Sequence, residues 1–199
     1  MKKRTPASRP QAKKATTKAK TAKPSSQPTK TAEVAKPQAK SVATSVLKVG
    51  QKAPAFSLLN DKGEKVTLTV LKGKKVVLYF YPKDDTSGCT KEACAFRDGI
   101  SALTRAGAVV LGVSPDSVES HVKFSKKYDL NFRLLSDVEK TMLTKYGVWK
   151  EKSMYGRKYM GVERTTFIID AQGKIAAIFP KVKVDQHYEE VLTTLQGLS

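Results

Sequence analysis

The chain has 199 residues, 40% of them hydrophobic, which suffices for one ordinary domain and its core, and it carries a formal net charge of +19. No stretch has the length of a membrane span, no apolar run of about seven to fifteen residues follows the basic start as a secretory signal requires, and two cysteines do not make a disulfide scaffold. A reducing, intracellular compartment follows, with a cytoplasmic location the simplest; organellar import is disfavoured because the cations of the start are mostly Lys and prolines recur among them.

The charge is unevenly spread. Residues 1–45 hold 12 of the 37 basic side chains and one of the 18 acids, Glu33, with five of the nine prolines and no aromatic residue, Leu or Ile. Such a segment buries too little apolar surface to offset its ordering entropy, which predicts a disordered tail over 1–45 and a domain over 46–199. The domain, with 25 of the 37 basic and 17 of the 18 acidic side chains, is only +8. The Lys, Ala, Thr and Pro of "KKATTKAKTAKP" resemble linker-histone tails in composition, and such tails hold phosphate backbones without reading sequence. Nucleic-acid binding or nucleoid association through the tail is therefore one reading, and a solvated tail that only aids solubility is the plainer one.

Order is expected to begin near "LKVGQKAPAFSLLNDKGEKVTL", where Gly50, Pro54 and "NDKG" punctuate short apolar stretches. "KKVVLYFYP" and "AGAVVLGVSPD" read as buried strands, being short, β-branched or aromatic, and bounded by turn residues. Between them Ala93, Phe96, Ile100 and Leu103 form one apolar helix face, and strand, helix and strand in that order predict a parallel, right-handed βαβ unit. After "SPD", Val118, Val122 and Phe124 place a second helix; Val138, Met142 and Tyr146 place a third, with Asp137 as its N-cap. "TTFIID-AQGK-IAAIF" reads as a hairpin around a Gly-containing turn. Asp185 opens a last helix with Tyr188, Val191, Leu192, Leu195 and Leu198 inward. The sum is an α/β sandwich with a central mixed sheet.

Both cysteines lie in "DDTSGCTKEAC", with Cys89 where a strand gives way to a helix. Only a thiolate is a nucleophile, and an ordinary thiol, with a pKa of about 8.5, is a few per cent thiolate at neutral pH. Lowering such a pKa to about 6 takes roughly 3.4 kcal/mol, of which a helix N-terminus supplies roughly 0.3 to 2. A further cation is expected beside Cys89.

"FYPKDDTSGCTKEACAFRD" resembles the active-site segment of the peroxiredoxins, in particular the peroxiredoxin Q or bacterioferritin comigratory protein group. The resemblance runs from about Val49 to the C-terminus through "APAFSLLNDKGEKVTL", "VLGVSPDS", "LLSD" and "YGVWKEKSMYGRKYMGVERTTFIID". It implies a thioredoxin-like fold and a monomeric thiol peroxidase that reduces hydrogen peroxide and organic hydroperoxides. By the same resemblance Cys89 is the peroxidatic cysteine, Thr86 the hydroxyl that bonds thiolate and peroxide, Pro82 the shield over the pocket, and Arg164 the expected cation. Cys94 stands where the group places its resolving cysteine, thioredoxin or a similar dithiol is the implied reductant, and no bound cofactor is implied. The family pattern usually reads Thr-Pro-Gly-Cys or has Pro in the loop before the cysteine; Ser87 in that position loosens the loop but removes no reacting group.

Other readings of these residues are plainer. Two intracellular cysteines are commonly small buried hydrophobes, and Thr86 and Pro82 without Cys89 are turn residues. His121 and His187 lack ligand spacing, so a metal site is not expected. Trp149 is expected to pack, and Glu92, in the first helical turn, to complement the helix dipole in a structural role. A thiol-disulfide oxidoreductase of the thioredoxin type would carry Cys-x-x-Cys, whereas four residues separate Cys89 from Cys94.

Overall fold

Alternate residues of the run 75–81 face opposite ways: Val76, Leu78 and Phe80 enter one buried apolar cluster, and Val77, Tyr79 and Tyr81 another. That two-residue period is a strand covered on both faces. The computed structural model describes residues 47–198, and the tail predicted over 1–45 lies outside the described residues. The strands are β1 (Ser57–Asn60), β2 (Lys65–Thr67), β3 (Lys75–Phe80), β4 (Ala108–Ser114), β5 (Arg133–Ser136), β6 (Trp149–Met154), β7 (Arg157–Val162), β8 (Thr165–Ile169) and β9 (Ile175–Phe179). The helices are α1 (Ser87–Arg105), α2 (Val118–Lys127), α3 (Thr141–Lys145) and α4 (Val184–Gly197), with a 3-10 turn at Leu68–Leu71.

Seven strands form one sheet in the order β2-β1-β5-β4-β3-β8-β9, and β6 and β7 pair as a separate two-stranded sheet. β3, β4 and β5 are parallel, while β8 runs antiparallel to both β3 and β9. The sheet is therefore mixed, with β3, α1 and β4 as the expected βαβ unit and β8–β9 as the expected hairpin. This is the thioredoxin-like architecture. α1 lays Cys89, Ala93, Phe96 and Leu103 on one face of the sheet together with Phe124 of α2 and Val191 and Leu195 of α4. Met142 and Leu143 of α3 and Tyr146 cover the other face. α1 and α4 approach so closely that a Cβ on Gly99 would lie 2.0 Å from the Tyr188 ring. Phe96, buried against the Tyr79 ring of β3 at 5.0 Å and edge-on to the Tyr188 ring of α4 at 6.4 Å, joins helix, sheet and α4, and truncating such a residue to Ala costs about 3–5 kcal/mol.

Several local expectations are corrected. Asp137 is not the N-cap of α3: Lys140 holds that position with a left-handed backbone (φ 56°), and Asp137 sits earlier, its Oδ2 accepting the Leu143 N–H at 2.8 Å. The spacing of Val138, Met142 and Tyr146 mimicked a helix face, but Val138 lies in the preceding turn and is exposed. Val122 is likewise exposed, because α2 turns His121 and Phe124 inward and a partner for the imidazole waits there. α4 begins at Val184, one residue before the expected start, and of the side chains expected inward Val191 and Leu195 are buried while Tyr188, Leu192 and Leu198 are half-buried. The β6–β7 hairpin was not legible, since "WKEKSM" and "RKYMGV" carry polar residues on both faces.

Candidate active site

The parallel strands β3 and β4 end side by side, and the chain leaving β3 turns through residues 81–86 into α1. Thr86 is the N-cap, with an extended backbone (φ −97°, ψ 150°), so Ser87, Gly88 and Cys89 form the first turn. Amides at this end of a helix lack intrahelical acceptors and point out of the helix start. Phe80 pairs with Thr165, which sets the end of β3 beside the start of β8 and brings Arg164 to the first turn of α1. Cys89 is buried, and Arg164 Nη2 donates to its Sγ at 3.3 Å. Gly88 makes this approach comfortable, since a Cβ there would stand 3.3 Å from the same Nη2. The cation expected beside the thiol is in place.

Glu92 completes this group and was not singled out for it. It lies in the second turn of α1 and not in the first as expected, almost wholly buried, and its Oε2 accepts a hydrogen bond from Arg164 Nη1 while Oε1 has no partner. Burial pushes its carboxyl up to about 7, against the attraction of Arg164. Burial also works against the charge of Arg164, but Glu92 and Cys89 together hold it above its ordinary range. The guanidinium fork thus joins a carboxyl and a sulfur through two different nitrogens.

Thr86 and Pro82 border the site. The Thr86 hydroxyl donates to the Lys83 carbonyl at 3.1 Å rather than to the sulfur, and Pro82 is half-buried where the chain leaves β3. Cys94 is half-buried farther along α1, and both cysteines are free thiols. Five helical residues separate the two Cα atoms by roughly 8.6 Å.

A second buried polar group pins the loop. Asp84 accepts from the Tyr81 hydroxyl (2.7 Å) and the Ser120 hydroxyl (2.7 Å), and its Oδ2 is 2.9 Å from His121 Nδ1. Its backbone N–H donates to Asp116 at 2.9 Å. The end of β3, the loop and helix α2 are joined in one network, to which His121 belongs. His187 is buried, 2.7 Å from the Thr166 hydroxyl and edge-on to the Phe96 ring at 5.8 Å, and Trp149 packs half-buried on the core. Among the described residues no three His, Cys, Asp or Glu side chains are arranged to hold a metal ion, and no helix is long and apolar enough to cross a membrane.

A thioredoxin-like sheet that presents a buried thiol in the first turn of a helix, hydrogen-bonded to a guanidinium, has the architecture of a thiol peroxidase. The AhpC/TSA family model matches residues 49–178. A putative peroxiredoxin bcp of Coxiella burnetii is 59% identical over 149 residues, covering 75% of this chain and 99% of that protein. Peroxiredoxin Bcp of Bacillus subtilis is 50% identical over 153 residues, covering 77% and 98%. The solved structure of Xylella fastidiosa peroxiredoxin Q superposes with a TM-score of 0.73 at 36% identity, covering 77% of this chain and 98% of that one. The bacterioferritin comigratory protein of Xanthomonas campestris, whose structure concerns alkyl peroxide reduction, gives 0.71 at 38% identity, covering 75% and 98%. The chain belongs to the AhpC/TSA family, as a peroxiredoxin of the peroxiredoxin Q or bacterioferritin comigratory protein group.

Proposed function

We propose that the chain reduces hydrogen peroxide and organic hydroperoxides through Cys89 and closes its cycle through Cys94 and an external dithiol. The observation that carries this reading is the 3.3 Å hydrogen bond from Arg164 to the sulfur of the one buried cysteine. The Cys89 thiolate attacks one oxygen of ROOH, the O–O bond breaks, and the alkoxide or hydroxide released takes up a proton as sulfur becomes a sulfenic acid. Negative charge spreads over sulfur and both oxygens in that step. Arg164 and the free amides of the first turn of α1 are donors suited to it, and Thr86 joins them when its hydroxyl turns from Lys83 to the peroxide. Pro82 shields the sulfur from bulk water.

The Cys94 thiol then condenses with the sulfenic acid, releasing water and forming a disulfide, and thioredoxin or a similar dithiol reduces that bond by exchange. The alkyl peroxide chemistry of the Xanthomonas campestris relative supports the organic substrates. Stopped-flow oxidation with hydrogen peroxide and an organic hydroperoxide tests the reading. Cys89→Ser should abolish the first step, while Cys94→Ser should keep it and lose dithiol-linked turnover. Equal first-step rates for the native chain and Cys89→Ser would refute it. For the tail over 1–45, its twelve cations against one acid favour non-specific binding to a nucleic-acid backbone as an added activity.

A further inference from the structure

The hairpin of β6 and β7 pairs only with itself. Its register sets Lys150, Lys152 and Met154 opposite Gly161, Tyr159 and Arg157, so these six share one face. A Cβ on Gly161 would meet the Tyr159 ring at 3.3 Å and the Lys152 stem at 3.4 Å, which shows both lying across the glycine on that face. The face carries no acid. Lys150 pairs with Glu163 beyond the end of β7, at 2.6 Å, whereas Lys152 and Arg157 have no carboxylate partner among the described residues. The other face holds the pair Glu151 and Lys158, at 3.0 Å.

The tip adds a second observation. Met154 pairs with Arg157, leaving a two-residue loop in which Tyr155 and Gly156 both have positive φ, 51° and 75°. Such turns favour Asn, Asp or Gly first, and an L side chain in that conformation costs about 1–2 kcal/mol. Tyr155 is 97% exposed, so burial returns nothing for that strain. Tyr159 beside it is 45% exposed.

We infer that this face of the hairpin binds single-stranded nucleic acid, with Lys152 and Arg157 on phosphates and Tyr159 and Tyr155 stacked on bases. Cations interleaved with exposed rings on an acid-free strip are the complement of an unpaired strand. A duplex hides its base faces, and an acidic peptide has no use for a ring held at a strained tip. A lipid surface asks for apolar residues on one edge, but Met154 and Met160 occupy opposite faces. The charge of +19 on the whole chain concentrates any polyanion around it.

The full-length chain is titrated into fluorescein-labelled oligo(dT) of about twelve nucleotides and into a duplex of the same length, because its other cations respond to phosphate alone. The native chain should prefer the single strand. The double variant Tyr155→Asn with Tyr159→Ser should bind oligo(dT) about tenfold more weakly and the duplex equally, with peroxide reduction unchanged. Its melting temperature should not fall on account of Tyr155→Asn, since that change relieves the turn. Mass-spectrometric footprinting locates the contact: oligo(dT) should protect Lys152 from acetylation and leave exposed Lys91 reactive. Equal affinity for strand and duplex, unchanged binding in the double variant, or Lys152 protection by phosphatidylglycerol vesicles or polyglutamate but not by oligo(dT) would each overturn the inference.

Discussion

Cys89 and Glu92 stand one helical turn apart in α1 and are bridged by the guanidinium of Arg164, which donates to the sulfur through Nη2 and to the carboxyl through Nη1. The cation beside the proposed nucleophile is shared with a buried acid whose charge is costly. Glu92 is thereby set to change its protonation near neutral pH, at about 7.

Glu92 should give stability a specific pH dependence. Its folded value, about 7, is above its ordinary 4.5, so the folded chain holds a proton that the unfolded chain releases between those limits. The stabilisation is complete below about pH 4.5 and is lost as pH rises through about 7, amounting to about 3 kcal/mol. Urea unfolding of the native chain and of Glu92→Gln at pH 5 and 8 reads this: the variant should lack that part of the slope. Identical slopes would show that Glu92 does not titrate in this window.

Arg164→Ala should slow peroxide attack by about a hundredfold, the scale for losing one donor to a transition-state anion. Alkylation by iodoacetamide at neutral pH should slow as well, and Arg164→Lys should restore little because a point charge cannot bridge two groups as the fork does. The fold should survive, since Glu92 takes a proton when its partner is gone. Wild-type alkylation rates in Arg164→Ala would count against the role.

The Asp84 network should matter for stability and for site geometry together. Asp84→Ala leaves Tyr81, Ser120 and His121 without their shared acceptor, in a buried setting where one stranded polar group costs about 1–3 kcal/mol. We expect a loss of about 3 kcal/mol or more in chemical denaturation and a slower first oxidation step in the protein that remains folded. A destabilised variant with native kinetics would confine the network to the fold.

The two thiols cannot join in the helix described here. A disulfide needs Cα atoms within about 7 Å, and five helical residues place them roughly 8.6 Å apart on different faces. Residues 90–96 are therefore expected to unwind on oxidation. Hydrogen exchange should show their amides losing protection in the disulfide form, and equal protection in both forms would exclude the rearrangement.

For the tail, neutralising about six phosphates gives a log–log salt slope of about −5 for duplex DNA. Deleting residues 1–45 should remove that binding and leave peroxidase activity intact. Undiminished duplex affinity in the truncated chain would move the binding elsewhere.

The strands β3 and β4, helix α1 and the β8–β9 hairpin were legible because each is an apolar run or a three-and-four spacing that a single element explains. Cys89 and Arg164 came from family resemblance: 75 residues separate them, and the pairing of Phe80 with Thr165 is what brings them together. Glu92 and His121 show the limit. A carboxylate near the start of a helix and a ring on a short helix have ordinary solvent-facing uses, and each is buried here only because a partner 72 or 37 residues away in the chain meets it. No local pattern encodes such a partner. Val122 and Val138 mark the converse, apolar side chains whose spacing suggested burial and whose backbones turn them outward.

Gly99 divides α1 into two mechanical parts. From it onward the helix is clamped to α4, with the Tyr188 hydroxyl donating to the Gly99 carbonyl at 3.3 Å, whereas the turns before it hold both cysteines. An unwinding that began at Cys89 would halt at this clamp, and the helical order it forfeited would enter the redox balance of the proposed disulfide. For a two-electron couple, every 1.4 kcal/mol of order lost on oxidation raises the reduction potential by about 30 mV. In the proposed cycle the clamp would therefore act as a potentiostat: by limiting how much of α1 melts, it would set how readily an external dithiol recovers the enzyme.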